Sequence, residues 1–120
     1  MATLATSQAG ELVLRLTPWE KVGALHGDLR VPLSVVRAVS VVAEPWNALR
    51  GIRAPGTGWP GWIMLGTTRG KFGKDFAAVY RRRPAVLVEL NGQDFQRLLV
   101  CTADPQRDAE ALRAALPPRT

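Results

Sequence analysis

The chain has 120 residues, of which 47% are hydrophobic and 22% are charged, and its formal net charge is +6. This length fits one domain with its own apolar core, and the composition excludes an intrinsically disordered chain. No uncharged apolar run approaches the roughly 18 residues that span a bilayer, and the single cysteine, Cys101, excludes an internal disulfide.

The N-terminal stretch "MATLATSQAG" has neither a basic region nor a long apolar run, so it does not read as a signal peptide. We expect residues 1–10 to form a flexible tail and the protein to be cytoplasmic. The first regular element is "ELVLRLT", in which Leu12, Leu14 and Leu16 alternate with other residues. That period of two predicts a half-buried strand. "PWEKVGAL" after it is compatible with a short helix or a turn.

Six further strands are predicted, and the last four follow one another across short turns. Before those four comes a segment of about twenty residues, 43–61, which contains several glycines and prolines and predicts a long loop. Asn91-Gly92 is a strong hairpin signal. The second half is therefore predicted to be an antiparallel meander. The predicted strands after the first are 27–32, 36–42, 62–69, 75–81, 84–90 and 95–102.

The C-terminal segment changes to a helical period. Asp104 suits an N-cap and Pro105 suits the first helical position. Ala109, Leu112 and Leu116 then share one face. This predicts one terminal helix over 104–116, followed by a short tail over 117–120.

The stretch "GTGWPG", residues 56–61, matches the dinucleotide-binding pattern G-x-G-x-x-G. A functional copy follows a parallel strand and opens a helix whose N–H groups face the pyrophosphate. Here Pro60 removes one such donor, and the following "WIMLGTTR" has the character of a strand. We therefore interpret the match as a turn-rich segment and expect no nucleotide cofactor.

Little else in the sequence indicates catalysis. His26 and Cys101 are the only residues of their types, and neither lies in a cluster with ligand spacing, so no metal site is expected. Cys101 falls in a predicted strand, where a buried, inert thiol is the expected state. We therefore expect a protein that is not an enzyme.

The excess of basic residues indicates an anionic partner, although a GC-rich genome offers an alternative explanation for the many arginines. In a meander, the long loop and the "RRRP" turn lie at the same end of the sheet, and Lys71 and Lys74 lie at the other end. Arginine and tryptophan together are typical of anion-binding or membrane-interface surfaces. The candidate ligand-binding residues at this end are Arg50, Arg53, Trp59, Trp62, Arg81, Arg82 and Arg83.

The order of several motifs resembles bacterial pleckstrin-homology-like (PH-like) domains, in particular a group of short actinobacterial-type proteins of unknown function. The motifs are "DLRVPLSVVRAVSVV", "RGIRAPGTGWPGWIMLGT", "DFAAVYRRRPAVLVEL" and "RLLVCTADPQRDAEALRAAL". The resemblance implies a PH-like domain over 11–116, mainly β: a bent, seven-stranded antiparallel barrel or sandwich capped by one C-terminal α-helix. The first hairpin lacks the basic cluster of phosphoinositide-binding members.

These observations predict a binding or scaffolding module that recognises a protein or peptide partner, with self-association through a sheet edge as one form of it. The alternative is weak peripheral binding to anionic phospholipid at the inner membrane face, through the arginine–tryptophan end. Nucleic acid is a less favoured partner, because the strands lack the exposed aromatic residues of a stacking platform.

Overall fold

The computed structural model describes residues 2–8, 10–18, 20–21, 27–45, 52–53, 57–59, 63–71, 73–80, 83–91 and 95–116, with 52–53, 57–59 and 63 described by their backbone. A 3-10 turn, Leu33–Val35, and a C-terminal helix, Pro105–Ala115, accompany ten strands in this part of the chain. The strands are β1 (Thr3–Thr6), β2 (Glu11–Arg15), β3 (Leu29–Pro32), β4 (Val36–Val42), β5 (Ile52–Arg53), β6 (Thr57–Trp59), β7 (Ile63–Gly70), β8 (Gly73–Tyr80), β9 (Ala85–Leu90) and β10 (Phe95–Val100).

The first three strands form a small antiparallel sheet in the order β1-β2-β3. The strand predicted here is confirmed, and Leu12 and Leu14 are buried, but the strand is not half-buried as expected, because Val13 between them is buried as well. The expected flexible tail is wrong for residues 3–6, because these pair with β2 from Thr3 opposite Arg15 to Thr6 opposite Leu12. The Leu4 side chain of this strand is buried in the core, and its burial stabilises a strand that the local composition did not predict.

The other seven strands form a large sheet in the order β4-β9-β10-β8-β7-β5, with β6 also paired to β7. The predicted meander is wrong at one place, since β10 lies between β8 and β9 and pairs with β8 in parallel. The four residues 81–84 can reach across two strand spacings of about 4.8 Å each. The apolar run of β10 suits this central position, where both faces of a strand are covered.

The main core lies between the two sheets. From the large sheet it takes alternate residues such as Phe76, Val88 and Leu98, and from the small sheet it takes Leu12 and Leu14. The opposite face of the large sheet carries a second apolar cluster with Met64, Val79 and Leu99 among its members. Alternating side chains therefore make the large sheet apolar on both faces over much of its area.

The C-terminal helix is confirmed, with bounds one residue inside those predicted. The Asp104 side chain accepts a hydrogen bond from the backbone N–H of Arg107 at 3.1 Å, so it caps the helix as expected. Ala109 and Leu112 are buried, and Leu116 packs against the same core. The helix contacts β1, β4 and β9.

The two sheets are open, so the closed barrel is wrong as one form of the predicted barrel or sandwich. β1 and β4 are terminal strands in their sheets and do not pair with each other. The helix instead lies against both strands. A helix that covers two sheet edges buries apolar surface there without the hydrogen-bonded closure of a barrel.

Candidate functional site

The "GTGWPG" stretch enters a strand pair. Gly58 lies opposite Met64 in β7, and Trp59 lies opposite Ile63. The segment that follows is strand β7, as the sequence predicted, so the helix N-terminus of a dinucleotide site does not follow the motif. The prediction of one long loop is wrong at 52–53 and 57–59, which form β5 and β6 on the same side of β7.

Four of the seven candidate ligand-binding residues, Arg50, Trp62, Arg81 and Arg82, lie outside the described residues. Arg83 is exposed and comes shortly after β8 ends at Tyr80. The backbone of Trp59 lies opposite Ile63, which in turn lies opposite Tyr80. Trp59 and Arg83 therefore belong to the same end of the large sheet, as expected.

Arg53 does not share that end. Its backbone lies opposite Thr68, five residues along β7 from Ile63, which corresponds to about 17 Å. The expected grouping of Arg53 with Arg83 is wrong at the level of the backbone, because β5 pairs with the far half of β7. Lys74 lies next to Gly73 at the start of β8, whereas Arg83 follows the end of that strand at Tyr80. The expected separation of Lys74 from Arg83 is therefore confirmed.

A buried carboxylate links the small sheet to this end of the large sheet. Glu20 is fully buried, and its Oε1 accepts hydrogen bonds from the backbone N–H and the Oγ1 of Thr17, both at 2.9 Å. Its Oε2 accepts a hydrogen bond from the hydroxyl of Tyr80 at 2.5 Å. We call Thr17, Glu20 and Tyr80 the capping cluster, because Thr17 and Glu20 form a capping box at a helical turn.

Burial and the adjacent Glu20 carboxylate raise the pKa of the Tyr80 phenol well above its usual range. Burial also raises the pKa of Cys101, whose thiol is fully enclosed. The Cys101 Sγ accepts from the backbone N–H of Tyr80 at 3.3 Å and donates to the carbonyl of Arg83 at 3.6 Å. The thiol thus contacts the backbone of both Tyr80 and Arg83, and its raised pKa disfavours the thiolate that nucleophilic chemistry requires.

A second set of polar side chains forms a row across neighbouring strands near the other end of the large sheet. Asp75, Arg97 and Glu89 are successive register partners in β8, β10 and β9. The Nε of Arg97 lies 2.9 Å from the Oδ2 of Asp75, and Arg37 lies 3.7 Å from Glu89. We call these four residues the charged row. Its signs alternate from strand to strand, which is the stabilising arrangement for cross-strand neighbours.

Three of the strands that end a sheet are blocked against a further strand. Pro32 lies in β3 and has no N–H to offer. The helix lies against β1 and β4, and the Nε of Arg113 donates to the carbonyl oxygen of Val39 in β4 at 2.9 Å. At the remaining end lie β5 and β6, whose one strand partner in the described chain is β7.

Sequence reasoning missed the capping cluster and the charged row. The capping cluster had a signal, since "TPWE" has the T-x-x-E pattern of a capping box with proline at the first helical position. The charged row had none, because Asp75 and Arg97 meet only through the parallel register of β8 and β10.

Searches among protein-family models, curated proteins and solved structures find no significant match to this chain. The described residues contain no group of three or more His, Cys, Asp or Glu side chains that could hold a metal ion. Among those same residues, no helix is both long and apolar enough to cross a membrane. The function of this chain is therefore inferred from its own geometry.

Proposed function

We propose that this chain is a non-enzymatic binding module of PH-like architecture that recognises a protein or peptide partner by strand addition along β5 and β6. In this mode, an extended segment pairs with the free backbone groups of a sheet edge. The mainly β, two-sheet architecture with one C-terminal helix is compatible with the PH-like resemblance, and the same edge also suits self-association.

The observation that carries the proposal is the difference among the sheet edges. Proline is the last residue of β3, and the helix lies against β1 and β4. Natural proteins protect edge strands in these ways because an unprotected edge pairs with other chains. β5 and β6 end the large sheet next to β7 and carry Gly58 at the centre of β6, which favours a close approach of another backbone.

The buried polar groups also support a binding role over a catalytic one. Glu20 is engaged by Thr17 and Tyr80, and Asp75 is engaged by Arg97. Each carboxylate is explained by a structural contact, whereas a general acid or base must reach a substrate.

The test is a matched pair of threonine-to-lysine variants on two edge strands. A lysine on an edge strand disfavours the addition of another strand. We expect Thr57→Lys in β6 to lose the partners that the wild-type chain captures from its host lysate, with amide-exchange protection by the purified partner at 57–59. Thr6→Lys in β1, whose side chain is exposed and whose edge the helix covers, should retain them. Equal loss in both variants, or no loss in either, would contradict the proposal.

A further inference from the structure

The β7–β8 hairpin brings three basic residues together. Arg69 lies directly opposite Lys74, and the pair Gly70–Gly73 closes a two-residue turn that begins with Lys71. Directly opposed residues of an antiparallel pair project from the same face, with Cβ atoms about 5 Å apart. Arg69 and Lys71 are exposed, and Lys74 is partly buried. We call these three residues the cationic hairpin.

These charges are not neutralised by the rest of the described chain. Elsewhere, Lys21 lies 3.7 Å from Asp28 and Arg30 lies 3.8 Å from Glu11. The charged row contains two further ion pairs. Within the described residues, no carboxylate forms an ion pair with a member of the cationic hairpin.

Packing against an aromatic ring holds Lys74 in place, although this residue lies opposite the like charge of Arg69. The Lys74 Nζ lies 5.0 Å from the centre of the Phe95 ring, a cation–π contact. Phe95 in turn meets Phe76 edge to face, with the ring centres 5.7 Å apart. Phe76 is fully buried, so Lys74 is anchored through Phe95 to the main core. Opposed like charges destabilise a strand pair, and a pair retained in this way is suited to an anionic ligand.

We propose that the cationic hairpin docks on the surface of an anionic phospholipid membrane. A two-residue turn at the end of a strand pair is convex, so it fits an extended charged surface better than it encloses a small anion. Two of its three cations are lysines, which act as compact point charges without the planar fork of arginine. The backbone of Arg53, opposite Thr68, places another basic residue at this end of the sheet.

A membrane fits these features better than a single-stranded nucleic acid does. Nucleic-acid channels of that kind combine basic residues with exposed aromatic platforms. Among the described residues beside the cationic hairpin, the aromatic ones are Phe76 and Phe95, and both are buried in the core, whereas Phe72 in the turn lies outside the described residues. The proposal concerns the basic side chains at this end of the sheet and not backbone pairing along the outer edge of β5 and β6, so it does not depend on strand addition by a protein partner.

The experiment is co-sedimentation of the full chain with vesicles that contain phosphatidylserine in phosphatidylcholine, beside vesicles of phosphatidylcholine alone. The test variant changes Arg69, Lys71 and Lys74 to glutamine. The control variant changes Arg15, Arg30 and Arg107 to glutamine, since these are exposed arginines of β2, β3 and the helix. Both variants lose three charges, so net charge is matched. Thermal unfolding of each variant checks that it folds.

A well-placed cation near an anionic surface increases binding about five-fold, so the test variant should bind on the order of 100-fold more weakly than the wild type. The control should stay within about five-fold of the wild type, and high salt should release the wild-type chain. Three results would overturn the proposal: no binding at low salt, equal losses in both variants, or binding to a single-stranded oligonucleotide without binding to vesicles. Free glycerophosphoserine at millimolar concentration should not displace the chain, because displacement would indicate a headgroup pocket in place of a surface.

Discussion

The charged row and the cationic hairpin lie one residue apart along β8, at Asp75 and Lys74, but on opposite faces of the sheet. In the charged row, the register places each charge beside its opposite, and Asp75 is buried against Arg97. In the cationic hairpin, the register places Arg69 opposite Lys74. The first arrangement stabilises the pairing of strands, whereas the second opposes it. The comparison separates charges that serve the fold from charges that remain available to a ligand.

Removal of one partner from the buried ion pair of the charged row should cost the most stability. Asp75 and Arg97 are 5% and 16% exposed in their side chains. Arg97→Met leaves the Asp75 carboxylate without this partner, and we expect a loss of about 3–5 kcal/mol in the free energy of unfolding. Urea denaturation measures it. Arg37→Met is the matched control, because the Arg37–Glu89 pair is exposed and should contribute less than about 1 kcal/mol. Equal losses would show that burial does not distinguish the two pairs.

The next effect lies at the opposite end of the sheet, in the capping cluster. Because the pKa of Tyr80 is raised on folding, the unfolded chain loses the phenolic proton first as the pH rises through about 10. The contribution of this group to the free energy of unfolding is therefore fully present below that pH and is progressively lost above it. Tyr80 is the only tyrosine, so its phenolate absorption reports the group directly.

The measurement is chemical denaturation at about pH 8 and about pH 11, together with the phenolate titration. Tyr80→Phe should reduce the alkaline loss without removing it, because the pKa of Cys101 is also raised. An unchanged alkaline loss in Tyr80→Phe, or a phenol that titrates at its usual pKa, would contradict the burial of the Tyr80 phenol beside Glu20.

A smaller effect is expected beside the charged row, at Thr68. This residue is the register partner of Asp75 and is buried, and its hydroxyl has no hydrogen-bond partner among the described residues. Thr68→Val removes an unsatisfied buried group and should raise the free energy of unfolding by about 1 kcal/mol. Thr67→Val, at the adjacent and less buried position, should give no such gain. A lower free energy of unfolding in Thr68→Val would indicate that the hydroxyl stabilises the charged row.

The smallest change in stability is expected at the two opposed cations of the hairpin, Arg69 and Lys74. Arg69→Glu places a carboxylate opposite Lys74 and leaves the contact between Lys74 and Phe95 intact. We expect a gain of about 0.2–1 kcal/mol in stability together with weaker binding to anionic vesicles. Lys71→Glu makes the same charge change in the turn, where no cation is directly opposite, so it should weaken binding without the gain. Thermal unfolding and co-sedimentation measure the two quantities. A loss of stability in Arg69→Glu would show that the opposed charges do not destabilise the hairpin.

The sequence determined the elements that depend on local patterns. Alternation placed Leu12 and Leu14 in a strand, and Asp104 with Pro105 marked the start of the C-terminal helix because capping is a local interaction. Pro60 and the β-like segment after it predicted that "GTGWPG" does not open a helix. The sequence also contains the pattern of the Thr17–Glu20 capping box, but it does not indicate the contact of Glu20 with Tyr80, sixty residues away.

The way in which these elements pair depends on contacts between distant parts of the chain. The insertion of β10 between β8 and β9 depends on long-range pairing, and it alone brings Arg97 to Asp75. The pairing register of β5 with β7 places Arg53 far from Arg83. The local composition of β5 does not indicate which residues of β7 it will pair with. The same applies to β1, whose strand forms because Leu4 is buried against the rest of the core. Pairing between distant strands is selected by the burial of both faces, a property of the assembled sheet and not of any one segment.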